Sequence, residues 1–437
     1  MNKIRLLHIS AHLGGGVGRV LSRVATLRRS QNTGVTEKFI CLEPPEKMQF
    51  VDALTEVGIE VIIAPQPHEI KQLIDAADIV QLEWWQHPLL VGLLCLQEQI
   101  NARLVVWSHT SGLHYPAIPI SFISMPHAFL FTTEASLRHL VGDRQLPTDS
   151  IASVVYSSGG FDDLPLVMRE RYRAPLRFGY LGALNFAKLH PEIISYLNAV
   201  NIPDFAVDFY GDIAGNEQLS RLSEDMATKN RMNLCGYTEQ PVEAFSNMDV
   251  LVYLLNPDHY GTTENALLEA MASGVVPIVL DNLVEASIVK HGKTGLVVNT
   301  PAAFAEAISY ANSNLDVLKS MSDACVSETR SQFSLEKTEQ GLRQCYASVM
   351  ASEKRCFDFQ KVFGRTPSEW FYSCLGDFRQ YFDRDNPDEM RSNRLRHPVF
   401  YEKSKSSVFH FLRYYEDAEL TKWAEMLEDD IANSANA

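Results

Sequence analysis

The residues best suited to chemistry lie at positions 256–274, NPDHYGTTENALLEAMASG. An apolar run, VLVYLL, ends there, a polar loop containing Gly261 follows, and a helix begins near Thr263 or Glu264. Thr263 suits the N-cap, and Ala266, Leu267, Ala270 and Met271 form the stripe such a helix buries. Glu264 falls in the first turn, where helix N–H groups also receive a diphosphate. A carboxylate there accepts hydrogen bonds from the vicinal hydroxyls of a ribose or a hexose. A second candidate is Gly14-Gly15-Gly16-Val17-Gly18, between an apolar run and an amphipathic segment. Glycines at a helix start let backbone N–H groups approach an anion. This run is neither the dinucleotide fingerprint, because Arg19, Val20 and Leu21 follow Gly18, nor a P-loop, because no Gly-Lys-Ser/Thr follows. A tight turn with no ligand is the alternative.

Such loops need strands that end beside them, and the chain supplies two series. Strands are expected at 4–10, 37–42, 61–64, 79–82 and 104–107, with helices at 17–30, 49–57, 68–76 and 89–99 between them. The alternation lapses near SSGGFDDLP and MRERYRAP, a linker over 161–175. It resumes with strands at 177–182, 205–210, 232–234, 249–255 and 276–280 and helices at 192–200, 218–226, 241–248, 266–273 and 302–312. This predicts an α/β protein with two doubly wound, Rossmann-like domains, 1–160 and 176–345. Ligands bind beyond the carboxyl ends of such strands, so two facing domains imply a cleft enzyme. Residues 346–437 mix Arg and Lys with Phe357, Phe359, Phe363, Trp370 and Phe371. They are expected to form a helical extension that packs on the domains or on a partner.

Composition narrows the function. A chain of 437 residues, 46% hydrophobic and 21% charged, has a full core and room for two domains. The 39 basic and 54 acidic residues leave 39 − 54 = −15, a field that repels nucleic acid. Seven scattered cysteines include no C-x-x-C pair, which argues against structural zinc and suits free thiols in a reducing compartment. The N-terminus lacks the longer apolar region of a secretory signal, and no apolar run reaches the ~18 residues of a membrane span. The expected location is cytoplasmic, with a peripheral position at the inner face of the membrane as the variant that a lipid-linked acceptor would require.

The order of the 267–279 segment, L-L-E-A-M-A-S-G followed by V-V-P-I-V, resembles the donor-site signature of GT-B glycosyltransferases of the family 4 type, the glycosyl transferases group 1. The resemblance covers roughly residues 3–345. It implies that Glu269 holds the ribose hydroxyls of a nucleotide-sugar. The family places another Glu eight residues earlier against the donor sugar, and this chain has Gly261 there. Glu264, or the main chain of Gly261, Thr262 and Thr263, is the candidate replacement. The segment G-A-L-N-F-A-K at 182–188 resembles the family's Gly-Arg-Leu-x-x-x-Lys, which makes Lys188 the diphosphate cation. Ala183 stands where the family has Arg, and Arg19 is the candidate substitute. V-V-W-S-H-T-S-G at 105–112 resembles the acceptor-domain strand that ends in a cleft His, here His109. Glu83 and Trp84 end the preceding strand segment, DIVQLEWW, and are expected on the acceptor side.

The resemblance implies transfer of a sugar from a nucleoside-diphosphate donor to an acceptor hydroxyl, with retention, in glycan or glycoconjugate biosynthesis. It implies no cofactor, no obligatory metal and no covalent nucleophile. Catalytic parts fall to His109, Lys188 and Glu264, and donor contacts to Gly15, Gly16, Gly182, Lys188, Gly261, Thr262, Thr263, Glu264, Asn265 and Glu269. The one D-x-D, Asp383-Arg384-Asp385, lies far along the chain and reads as a surface loop. The partners expected are the donor and a glycan, lipid-linked or protein acceptor, with the extension as the site of any oligomer contact. Two alternatives remain at this level: a catalytically silent scaffolding homologue, favoured by Gly261 and Ala183, and a nucleotide-sugar epimerase.

Overall fold

The computed structural model describes residues 3–96, 100–148, 150–164, 172–212, 219, 231–382, 387–404 and 406–434. The predicted helix at 218–226, most of the 161–175 linker's charged half and the Asp383–Asp385 motif therefore lie outside the described residues, Leu219 apart. The chain forms two compact units, one of residues 1–159 with 335–437 and one of 160–334.

The first unit is built on β1 (Ile4–Ser10), β2 (Val35–Cys41), β3 (Glu60–Ile63), β4 (Ile79–Trp84), β5 (Ile100–Ala102), β6 (Leu104–Ser108), β7 (Ala128–Phe131) and β8 (Ile151–Val154). Seven of these make one parallel sheet in the order β3-β2-β1-β4-β6-β7-β8. The order reverses between β1 and β4, the switch point of a doubly wound fold. Strands covered on both faces read as unbroken apolar runs, which is how β6 (LVVWS) and β7 (AFLF) appear, with every residue buried. β7 and β8 extend the sheet past the last strand expected in this half. At four residues each they are too short to show a period.

The second unit carries β9 (Phe178–Leu181), β10 (Val207–Tyr210), β11 (Met232–Gly236), β12 (Val250–Tyr253), β13 (Val276–Leu280) and β14 (Leu296–Val298). They form a parallel sheet in the order β11-β10-β9-β12-β13-β14, which reverses between β9 and β12.

Beyond these strands the chain packs on the first unit. Helix Leu335–Val349 contributes Leu335, Leu342, Cys345, Tyr346 and Val349 to the core cluster that also holds Leu6, Val20, Leu21, Phe39 and Trp107. The sequence assigns residues 335–345 to the second domain, and burial of this helix's apolar stripe puts them with the first unit. Among the described residues beyond this helix, the elements are short helices, the longer helix Ala418–Ser434, two 3₁₀ turns and β15 (Arg355–Phe357), which pairs antiparallel with β5. Several of their aromatics are core residues of this unit: the Phe363 ring centroid lies 4.9 Å from that of Phe122 and 5.5 Å from that of Trp84, and Trp370 is 1% exposed. No helix among the described residues is long and apolar enough to cross a membrane.

Candidate active site

In the second unit, three segments bring charge together. β9 ends at Leu181, and the turn that follows from Gly182 delivers Lys188, whose N–H donates to the Asn185 side chain at 3.0 Å. The turn is pinned because Asn256, just past β12, donates from Nδ2 to the Phe186 carbonyl at 2.7 Å. Lys188 Nζ lies 2.5 Å from Glu264 Oε2, and the Tyr253 hydroxyl at the end of β12 donates to the same oxygen at 2.7 Å. Glu264 is the N-cap of helix Asn265–Ala272, a place expected for Thr263, and its backbone is left-handed at φ +51. A non-glycine residue in that region costs on the order of 1 kcal/mol, so surrounding contacts must hold it there.

The left-handed turn sends the Glu264 side chain back toward Gly261. A Cβ on residue 261 would overlap Glu264 Oε1 and lie 2.8 Å from both Lys188 Nζ and His259 Nδ1. Gly261 is thus required by the carboxylate that Glu264 places against it. Burial opposes Glu264's charge, yet the Lys188 ammonium outweighs it and holds the carboxyl below its ordinary range. Burial likewise works against Lys188, and Glu264 overrides that to keep it cationic.

The cluster continues to residues that sequence patterning does not single out. His259 Nδ1 accepts the Gly261 N–H at 3.0 Å, and its Nε2 lies 2.7 Å from Glu285 Oε1. His259, Glu264 and Glu285 have the spacing of a metal site. The Gly261 N–H, however, occupies the Nδ1 lone pair and puts the proton on Nε2, and the Lys188 ammonium already neutralises Glu264. The cation this cluster is built around is an ammonium. Thr262 and Thr263 are buried, while Gly182, Gly261, Asn265 and Glu269 are half-buried.

In the first unit, a charged layer lies beneath the sheet. The His8 ring bridges Glu83 (Nδ1, 2.8 Å) and Glu37 (Nε2, 3.1 Å), stacks on Phe39 at 4.2 Å and is 1% exposed. Arg28 donates to Glu37 at 2.6 Å and its guanidinium sits 5.1 Å from the Tyr346 ring. Tyr346 donates to Gln81 Oε1, and Gln81 donates to Glu83 Oε1 at 2.8 Å. The layer ends at His109, whose Nε2 meets Glu83 Oε2 at 2.9 Å and whose Nδ1 meets the Ser157 hydroxyl at 3.2 Å. Polar residues inside apolar strands, His8 in IRLLHIS and Gln81 and Glu83 in IVQLEW, were the available signal for this network.

Here the structure differs from two expectations. Trp84 is 0% exposed and packs against Phe122 and Phe363, so it fills the core and does not line the acceptor side. His109 is expected to act on substrate, but its side chain is 3% exposed and both ring nitrogens are engaged. Gly15 and Gly16 are exposed at the start of helix Gly15–Gln31, with Gly14 as N-cap, and Arg19 is half-buried in the same helix.

The layer makes the first unit's stability pH-dependent. Burial opposes His8's charge, and Glu37 and Glu83 override it, raising its pKa. Its contribution is therefore complete below about 6.5 and is lost as pH rises through the folded value. Burial raises Glu37 and Glu83, but Arg28 on the former and the two imidazoles on the latter lower them overall. Their contribution is complete above about 4.3 and is lost as pH falls through the lowered values. Unfolding followed by tryptophan fluorescence should show greatest stability between these limits. All five tryptophans (84, 85, 107, 370 and 423) belong to this unit, so the signal reports it alone.

The two parallel doubly wound sheets are those of the GT-B fold. Residues 170–327 match the family described as Glycosyl transferases group 1, and the chain is a glycosyltransferase. No curated protein matches it. Among solved structures, a glycosyltransferase from Rickettsia africae superimposes with a TM-score of 0.61 at 15% identity, over 81% of this chain and 100% of that one. Anabaena HepE, solved with UDP-glucose, gives 0.62 at 13% identity over 79% and 100%. The pneumococcal O-GlcNAc transferase GtfA, solved with UDP and GlcNAc, gives 0.59 at 12% over 80% and 100%.

Proposed function

We propose that the protein moves a hexose from a nucleoside-diphosphate sugar to an acceptor hydroxyl, with retention and without a metal, in glycan or glycoconjugate assembly. The observation that carries this reading is the Lys188–Glu264 pair seated against Gly261. Glu264 supplies, from the other end of the loop, the carboxylate that residue 261 lacks. Lys188 has N–H groups left beyond the one on Glu264, and these take the diphosphate. Glu269 takes the ribose hydroxyls, and Gly182, Thr262, Thr263 and Asn265 complete the donor contacts. As the anomeric C–O bond to the phosphate breaks, charge grows on the leaving oxygen and Lys188 stabilises it. The acceptor oxygen bonds to the anomeric carbon, and its proton passes to the departing diphosphate. On the acceptor side Glu83 and His109 are positioning residues, because the ring is locked between Glu83 and Ser157. The surroundings suited to this chemistry are cytoplasmic, where nucleotide-sugars and reduced thiols coexist.

The test is nucleotide release from a panel of UDP- and GDP-sugars without acceptor, beginning with UDP-hexoses because HepE and GtfA were solved with UDP. Slow release from one donor, lost in Glu269→Ala and retained in a chelator, is the expected result. An epimerised donor would replace this reading with the epimerase, and failure of every donor to bind would replace it with the silent homologue.

A further inference from the structure

Trp85 follows β4 directly, at the strand-order switch of the first unit, and its ring is part-exposed where that of Trp84 is buried. Three imidazoles surround it: His12 just past β1 at 5.4 Å, His87 at 6.3 Å and His109 just past β6 at 6.4 Å between ring centroids. Glu43, two residues past β2, lies beside them, its N–H donating to the Ala11 carbonyl at 2.9 Å. Its side chain keeps a quarter of its surface exposed. Oε1 is 3.3 Å from His87 Nε2, and Oε2 accepts from the Tyr414 hydroxyl at 2.6 Å. The ends of four neighbouring strands, β2, β1, β4 and β6, thus converge on one flat aromatic face beside one ionised carboxylate. The C-terminal segment completes the arrangement. Ser406 donates to the Gln86 carbonyl at 2.7 Å, and His410 packs edge-on against His87 at 4.6 Å.

We propose that Trp85, Glu43, His12 and Tyr414 form the acceptor subsite and that the acceptor is a pyranoside, whose C–H face stacks on Trp85 while its hydroxyls donate to Glu43. This rests on the glycosyl-transfer reading, since it names that reaction's acceptor. An indole face offers a large apolar area with little entropy to lose, and a carboxylate oxygen retains acceptor capacity after one or two hydrogen bonds. Burial raises Glu43's pKa, but His87 and Tyr414 bring it down to about 2, so it stays an acceptor at any working pH. His12, Glu43 and His87 also have the spacing of a metal site. The Leu89 N–H, however, donates to His87 Nδ1 at 3.2 Å, which leaves a proton, not a lone pair, on the Nε2 facing Glu43. The subsite also gives the C-terminal segment, which lies outside the family match, a part in substrate choice.

The experiment titrates the full chain, without donor, with methyl α- and β-glucosides, galactosides, mannosides and N-acetylglucosaminides. It is read by tryptophan fluorescence and by saturation-transfer NMR. At least one glycoside is expected to bind. Trp85→Ala and Glu43→Gln should each weaken it by about tenfold or more, and Trp85→Phe, which keeps a stacking face, should stay within about threefold. Glu43→Gln keeps the size of the side chain, so its loss of affinity with unchanged circular dichroism excludes misfolding as the cause. Failure of every glycoside to bind, binding unaffected by Trp85→Ala, quenching by uridine alone, or zinc binding lost in His12→Ala would each overturn the proposal. Because no donor is present, these outcomes are independent of the nucleotide-release test, and either reading can fail without the other.

Discussion

Lys188→Ala is expected to abolish donor turnover and to destabilise the second unit by about 3–5 kcal/mol, the usual cost of leaving one member of a buried ion pair alone. Glu264 is 3% exposed at its side chain and Lys188 13%, so solvent cannot replace the missing ammonium. Without it, Glu264 keeps the Tyr253 hydroxyl and the more distant His259 ring, 3.7 Å away, as its nearest polar neighbours. The carboxyl's pKa should then rise, because burial is the force that Lys188 had been overriding. The double variant Lys188→Met with Glu264→Gln separates fold from function: it removes both charges and should regain most of the stability while remaining inactive. Gly261→Ala approaches the same carboxylate with Lys188 intact. Its methyl group overlaps Glu264 Oε1, so it should displace the carboxylate and weaken donor binding. Thermal unfolding by circular dichroism, with and without UDP, reads all three. An unchanged UDP shift in Lys188→Ala would remove Lys188 from the donor site.

The second large effect belongs to Glu83. Glu83→Ala takes the shared acceptor away from three groups at once: the His8 imidazolium, the Gln81 amide and the His109 ring. All lie in the interior, so the expected loss is again about 3–5 kcal/mol, read by tryptophan fluorescence in urea. Glu83→Gln keeps the shape and loses the charge. It should cost less, and it should lower the pH at which the first unit's alkaline loss of stability is complete, because His8 then keeps Glu37 as its anionic partner and its folded pKa falls toward the unfolded one. A purely structural glutamate would give the same loss without moving that pH. If His109 positions the acceptor-side loop through Glu83, transfer should fall in Glu83→Gln even at pH values where its stability matches the wild type.

The glycine content of the donor loop illustrates how far a single chain of letters reaches. Gly261, Glu264 and Lys188 were all legible as candidates, because glycine, carboxylate and ammonium are types that bind sugars and phosphates. Their partnership was not legible, since Lys188 and Glu264 are 76 residues apart and meet only when β9 and β12 pair. His259 and Glu285 carried no helical or strand period, and their contact depends on how the loops after β12 and β13 fold back. On the other unit, Trp84 and Trp85 are adjacent and chemically identical in the sequence. The pleat sends successive side chains to opposite faces, so one ring is core and the other reaches the surface at the strand end.

What the sequence determined by itself was local or periodic. Alternating apolar runs and helical stripes set two parallel α/β sheets, because strands covered on both faces must be apolar throughout and helices must bury one side. The signature around Glu269 and the glycine at 261 set the class of chemistry. Only tertiary structure decided where residues 335–437 belong, which charged side chains neutralise each other, and which of two tryptophans is available to a ligand. Those outcomes depend on contacts between residues hundreds of positions apart, such as Tyr414 with Glu43 and Tyr346 with Gln81. No window along the chain contains both partners of such a contact, and burial, which fixes their charge states, is a property of the folded whole.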